Sequence, residues 1–479
     1  VSDSHGRDHV SNLELALGED ASILALKVST VANLGAYLSN FAPFVATAAG
    51  VPMLVGCYDI PVVHVKVQGV FTNTVPVDAY RGAGRPEAIY AIERLLDAAA
   101  YDLGISPAEI RRRNFIPPNA MPFETVLGSV YDSGEFARNL EDALQISRWE
   151  DFEARREAAK AKGKLRGIGL ASYIEKCAGG SPEEARLEVS SDGHVTLYIG
   201  TQSNGQGHET AFRQIISERL GISFEEISIV QGDSDRIETG GGTMGSRSVP
   251  VGGSAISATA AILIEKAKLK AAEMLETAID DVEFENGEFK IVGTDRSESF
   301  KSVAQAAAPA DGSASFDEKE SFAPSEATYP NGTHVCELEI DEATGTIEVV
   351  DYTVVDDFGK TINPLLLEGQ VHGGIAQGLG QALLENCAYD AESGQLIAAT
   401  FMDYTMPRAS NFPEIRFKRN EVPCLTNPLG IKGAGEAGAI GAPPAIINAV
   451  VNALKDYGVR HVDMPVTSTK LWQLMQSSA

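Results

Sequence analysis

Positive charge is scarce in this 479-residue chain, where 39 Lys and Arg stand against 66 Asp and Glu for a net charge of −27. A duplex nucleic-acid binder needs Lys and Arg to displace condensed counterions, so that class is excluded, and an anionic membrane surface is disfavoured for the same reason. Cysteine is scarce too. Five residues (Cys57, Cys177, Cys336, Cys387 and Cys424) are dispersed with no CxxC spacing. That pattern argues against a disulfide scaffold, predicts reduced thiols in a cytoplasmic compartment, and offers no closely spaced thiolates for an iron–sulfur cluster. There is no run of 18 apolar residues, so no transmembrane helix is expected. Internal repeats at solenoid periods are also missing. The opening VSDSHGRDHV has no initiator Met, basic n-region or apolar h-region, and it reads as the interior of a longer protein rather than a signal peptide. Within it, His5 and His9 imitate a metal pair at helical spacing. Gly6 weakens such a helix and no third ligand lies nearby, so a surface or interface role is expected.

What remains is an ordinary globular composition, 44% apolar and 22% charged, long enough for two to four domains. Alternation over 62–71 predicts a strand, and 33–50, rich in small apolar residues, predicts a buried helix. PEAIYAIERLLDAAAYDLG has helical spacing, with Pro86 in its first turn and Gly104 just past its end. Ser106, Pro107 and Glu109 then open a second short helix. A strongly charged helix over 149–164 links a first domain, 1–148, to a second, 165–479. In the second, LRGIGLASYIE, ARLEVSSDGHVTLYIGT and ISIVQGD read as strands, 254–280 as a long helix, and 295–328 as an exposed connection. A hairpin over 334–357 turns at Thr344-Gly345, and APPAIINAVVNAL is a helix. The class is α+β, with mixed sheets and packed helices.

Four glycine-rich segments exceed what turns require: AYRGAGR (79–85), GTQSNGQGHET (200–210), TGGGTMGSRSVPVGGSA (239–255) and KGAGEAGAIG (432–441). Glycine admits close backbone approach and lets several N–H groups face one anion, so the set predicts one large, polar, phosphate-bearing ligand gripped from several sides. Gly433, Gly435 and Gly438 match a dinucleotide fingerprint. Pro423 and Pro428 break any strand before it and Pro443-Pro444 follow closely, which argues against a nicotinamide site.

AYRGAGRPEA, SPAEIRRRNFI, GTQSNGQGHET, NPLLLEGQVHGGIAQGLGQAL and KGAGEAG occur here in the order found in the molybdenum-bearing large subunit of the molybdenum hydroxylases, and the chain resembles that family (xanthine dehydrogenase, aldehyde oxidase, carbon monoxide dehydrogenase) over almost its whole length. The resemblance implies two molybdopterin-binding α+β domains, the first lacking its N-terminal part. It implies that Glu436 is the general base of a hydroxylation whose oxygen derives from water, and that Arg81 binds substrate and stabilises developing negative charge. Burial is expected to raise the Glu436 pKa towards working pH; the plainer reading of Glu436 is an acid at a helix N-terminus. Gln206, Gly207, Gln370 and Gly435 match residues around the pyranopterin, and Gly245, Ser246 and Ser248 match those holding its phosphate or pterin edge. No side chain is expected to ligate molybdenum directly; the pterin, possibly as its cytosine dinucleotide, holds the metal. Partner subunits carrying 2Fe-2S clusters and FAD are implied, in a dimer of heterotrimers completed by the missing N-terminal portion or a split partner.

The match departs at one loop. Carbon monoxide dehydrogenases proper carry a copper-binding cysteine where AYRGAGR stands, so an aldehyde or electron-poor N-heterocycle is the expected substrate. Two other classes stay open on sequence alone: a non-catalytic scaffold or assembly paralogue, and a nicotinamide-dependent dehydrogenase. Survival of both Arg81 and Glu436 argues against the first.

Overall fold

The computed structural model describes residues 3–478. Near the N-terminus, Ile23–Asn33 pairs antiparallel with His9–Leu17 and parallel with Val63–Val70. Alternate residues of His9–Leu17 turn inward, so Leu13, Leu15 and Leu17 pack on the core while their neighbours face out. A second sheet runs Ile415–Arg419, Ile347–Asp357, Asn331–Asp341, Lys164–Ile174, and a third runs Phe316–Phe322, Glu183–Val189, Val195–Ile199, Ile227–Val230. These mixed sheets and their covering helices are the α+β architecture that the sequence predicts.

Two hydrophobic cores result. The larger gathers the Arg85–Leu103 and Ala437–Ala453 helices against the second sheet; the smaller packs Ser254–Leu275 on the third. The stretch Ser248–Leu275 is long and apolar enough to cross a membrane by length and composition alone, but 67% of its apolar 18-residue segment is buried inside this fold, as in a core helix. Arg85–Leu103 starts and stops as predicted, with Pro in its first turn and Gly104 left-handed at φ +65°. Ser106 caps Pro107–Asn114 by accepting from Glu109 N.

Several predicted elements differ. Asn33 ends a strand instead of opening a helix over 33–50. Its side chain accepts from Gly35 N (2.7 Å) and donates to Asp8 and Thr74, which turns the chain, and only short helical turns follow from Ala42 to Met53. The charged linker opens on a short 3-10 turn, Trp149–Asp151, and is α-helical only over Phe152–Lys160, which buries Phe152 and Ala159. The long helix stops at Leu275, where Glu276 turns left-handed (φ +52°) and Thr277 N donates to Ala272 O. The supposed connection over 295–328 holds the helix Phe300–Ala306 and an edge strand, Phe316–Phe322, paired with Glu183–Val189. Its charged residues hid the few apolar anchors, Phe300, Val303 and Ala304, that dock it. The helix predicted at APPAIINAVVNAL begins earlier, at Ala437, and keeps Pro443 and Pro444 within it.

Candidate active site

The site forms where the Ala437–Ala453 helix crosses the Pro364–Leu379 helix. A Cβ on Gly438 would lie 2.6 Å from Val371 O and Ile375 N, so only glycine permits the contact. That approach brings the Gln370 and Gln377 face, two helical turns apart, beside the segment leading to Glu436.

Arg81 stitches these parts together. Its Nε donates to Gly435 O, Nη1 to Gln377 Oε1 (2.9 Å), and Nη2 to Gln370 O (3.1 Å) and Gln370 Oε1 (3.3 Å). Arg7 donates to Arg81 O and holds the loop from behind. The guanidinium is therefore a charge fixed in place before any ligand arrives.

Glu436 occupies the N-cap position of its helix, yet its side chain makes no bond to that helix. Its Oε1 accepts from Gly82 N (2.9 Å) and its Oε2 from Ser246 Oγ (2.8 Å), so it joins three of the glycine-rich loops. Ser246 adopts φ +52°, a conformation costly for a residue with a side chain. Burial pushes the Glu436 carboxyl up. Hydrogen bonds from Glu175, Ser246 and Gly82, together with the Arg85 charge, outweigh that and hold its pKa below 4.5. The expected upward shift is thus reversed, because the carboxylate gains more donors than burial removes.

The remaining predicted residues fall into two groups. Gln370, Gly435 and Ser246 belong to the Glu436–Arg81 cluster. Gln206 bonds within its own loop, to Asn204 N and Gln202 O, while Gly207 caps His208–Leu220 and abuts Leu366 of the helix bearing Gln370. Ser248 Oγ lies 2.6 Å from Thr201 Oγ1, and Gly245 O accepts from Ala178 N (3.0 Å). The loops 200–208 and 239–248 run side by side, and Arg247, bonded to buried Glu183 (2.6 Å), anchors the second. Space is open beside Gly205, Gly242 and Gly245. Hydroxyls, amides and free backbone line this strip, a donor set that suits a neutral heterocycle and a phosphate.

Three residues of the site went unread in the sequence. Gln377 was findable from its spacing seven after Gln370. Glu175, fully buried, ends the apolar strand Lys164–Ile174, and a lone acid closing such a run was the available signal. Lys432 is fully buried, with Nζ donating to Asp357 Oδ2 (2.5 Å) and Ser133 O (3.3 Å), and nothing local in the sequence identifies its partner. The dinucleotide fingerprint fails for one of the two reasons expected: a helix does begin within it, but only an isolated bridge at Ile431 precedes it, not a strand. Among the described residues no group of three or more His, Cys, Asp or Glu could hold a metal ion.

Profiles described as "Molybdopterin cofactor-binding domain" match residues 1–115 and 142–413. The chain is 36% identical to the carbon monoxide dehydrogenase large chain of Hydrogenophaga pseudoflava, over 98% of this chain and 61% of the relative. It is 36% identical to the 6-hydroxypseudooxynicotine dehydrogenase complex subunit gamma of Paenarthrobacter nicotinovorans, over 99% of this chain and 61% of the relative. The structure of quinoline 2-oxidoreductase from Pseudomonas putida 86 superposes with a TM-score of 0.93 at 33% identity, covering 99% of this chain and 62% of that one. The chain thus spans about three-fifths of the length of these relatives. Profile, relatives and superposition converge on one assignment: this chain belongs to the molybdopterin-cofactor-binding family of molybdenum hydroxylase large chains.

Proposed function

We propose that this chain is the cofactor-binding catalytic part of a molybdenum hydroxylase that oxidises an aldehyde or N-heterocycle with oxygen from water. The observation that carries it is the convergence of Glu436, Arg81, Ser246 and Gln370 on one cluster drawn from four separate segments. Gln206, Gly207, Gly245 and Ser248 would hold the pterin and its phosphate, with Gln370 and Gly435 on the side of Arg81. When bound, the molybdopterin, in its cytosine dinucleotide form, supplies the metal centre that takes two electrons from the substrate.

The chain's own residues do the rest. Glu436, ionised at neutral pH, accepts a proton as general base. Gly82 and Ser246 keep that carboxylate pointed and unprotonated between turnovers. Arg81 presents a fixed positive charge where negative charge develops on the substrate. Partner subunits carrying 2Fe-2S and FAD groups would take the electrons onward, in a dimer of heterotrimers located in the cytoplasm.

The AYRGAGR loop favours these substrates over carbon monoxide. It carries no thiol, and Gly82, at φ +103°, has no room for one: a Cβ there would lie 2.4 Å from Pro86 Cγ. Turnover of an N-heterocycle in heavy-oxygen water by the assembled enzyme is expected to place the label in the hydroxylated product. Label drawn from dioxygen, or an oxidised product with no added oxygen, would sink the reading.

A further inference from the structure

Behind Glu436 stands a second carboxyl that the proposed reaction does not use. Glu175 follows the strand Lys164–Ile174 and is 0% exposed, whereas Glu436 is only part-buried. Its backbone is clamped on both sides: its N donates to Pro330 O (2.9 Å), and the next carbonyl, Lys176 O, accepts from Arg85 Nε (3.1 Å) and Nη2 (2.6 Å). The side chain therefore cannot retreat from its neighbour.

Ser246 Oγ lies 2.8 Å from Glu436 Oε2 and 3.2 Å from Glu175 Oε1. A serine hydroxyl has one proton to donate, so it can satisfy only one of two carboxylates. Glu175 Oε2 is buried with no donor facing it. A carboxylate left that way would cost several kcal/mol. One added proton removes all three difficulties. Carried by Glu175, it removes that carboxyl's need for a donor, leaves the single Ser246 hydroxyl proton to Glu436, and cancels the repulsion of two buried like charges.

We propose that Glu175 and Glu436 form an acid–carboxylate pair holding one proton between them, in which Glu175 is a positioning residue that keeps Glu436 ionised and aimed. The inference rests on the hydroxylase reading for its consequence in turnover, but the shared proton itself does not depend on it. The charged and titratable groups facing the pair are Arg81 and Arg85 from the AYRGAGR loop, Arg7 behind it, and Tyr173 and Cys177 on either side of Glu175. The three arginines stabilise a single negative charge on the pair. Glu436 accepts from both Gly82 N and Ser246 Oγ whereas Glu175 Oε2 faces no donor, so the proton resides on Glu175, and burial, then the Glu436 charge, push the Glu175 carboxyl up accordingly. Glu175 is fully buried and Glu436 only part-buried, so the acid is the hidden partner and the base is the less hidden one. Accepting a substrate proton brings the pair to two protons, and releasing one to solvent restores it.

Two readouts on the cofactor-loaded protein test this. The first is infrared absorption in ordinary and heavy water at neutral pH. The wild type is expected to show a carboxylic-acid carbonyl band, shifted by deuterium, that disappears in Glu175→Gln; a band unchanged in that isosteric variant overturns the proposal. The second is the pH profile of kcat/KM. A base with a lowered pKa stays active as pH falls, so the wild-type acid limb should lie on the acid side of the ordinary carboxylate range. Glu175→Gln keeps an amide donor and should leave that limb in place. Glu175→Leu removes the donor and should move the limb up by about one pH unit or more. A loss of rate in Glu175→Leu with the limb unmoved would mean packing alone and overturn the positioning role. If Glu436→Gln kept full turnover while Glu175→Gln still lost the band, the base assignment would fall and the shared proton would stand.

Discussion

Glu436→Gln is expected to lower turnover of the assembled enzyme by about a hundredfold to ten-thousandfold while leaving its molybdenum content unchanged. The substitution is nearly isosteric, so the scaffold around it should persist. The amide oxygen can still accept from Gly82 N, and Ser246 Oγ can rotate to accept from the new amide nitrogen instead of donating. Glu436 sits between the glycine-rich loops without bonding its own helix, so helix stability should hardly change. What disappears is the capacity to take a proton. The measurement is kcat together with metal content on the same preparation. A fall in both would assign Glu436 to cofactor retention, and an unchanged kcat would remove it from the base role.

A second large effect is expected at Lys432, which opens the Glu436 segment. Its ammonium and the Asp357 carboxylate are both fully buried and 2.5 Å apart. Asp357 also accepts from Gly359 N (2.9 Å) and Val422 N (3.0 Å), so this one carboxylate ties together three stretches of chain beneath the site. Lys432→Met leaves that carboxylate buried without its cation, which costs about 3–5 kcal/mol. For a chain whose whole margin is on the order of 5–15 kcal/mol, this is a large share. Chemical denaturation should show the loss, with weaker cofactor retention because the Gly433–Gly435 backbone is released. Adding Asp357→Asn should recover part of it, since no charge then remains unpaired. A single variant as stable as the wild type would show that the pair contributes nothing.

The parts of this molecule that were legible in the sequence are those with local causes. Pro86 and Gly104 bracket a helix because one lacks an N–H and the other tolerates a left-handed turn. Ser106 announces a cap that Glu109 N completes. Glu436 and Arg81 were legible through their motifs, and the structure places them across Gly435 O and Gly82 N from each other. The parts that were not legible depend on distant partners. The Phe316–Phe322 strand reads as part of an exposed connection until its pairing with Glu183–Val189 supplies the ladder. Lys432 went unread because its partner, Asp357, lies 75 residues away. The direction of the Glu436 pKa depended on Glu175, Ser246 and Arg85, all from other segments, and burial alone pointed the wrong way.

The central claim is that this chain carries a molybdenum cofactor served by Glu436. Its most direct test is elemental analysis of protein purified from its native host with any bound partners, combined with fluorescence of the oxidised, released pterin. The account predicts molybdenum and pterin equimolar with the chain. Neither metal nor pterin, in a preparation whose partners remain attached, would contradict it and leave a scaffold that has kept the fold without the chemistry.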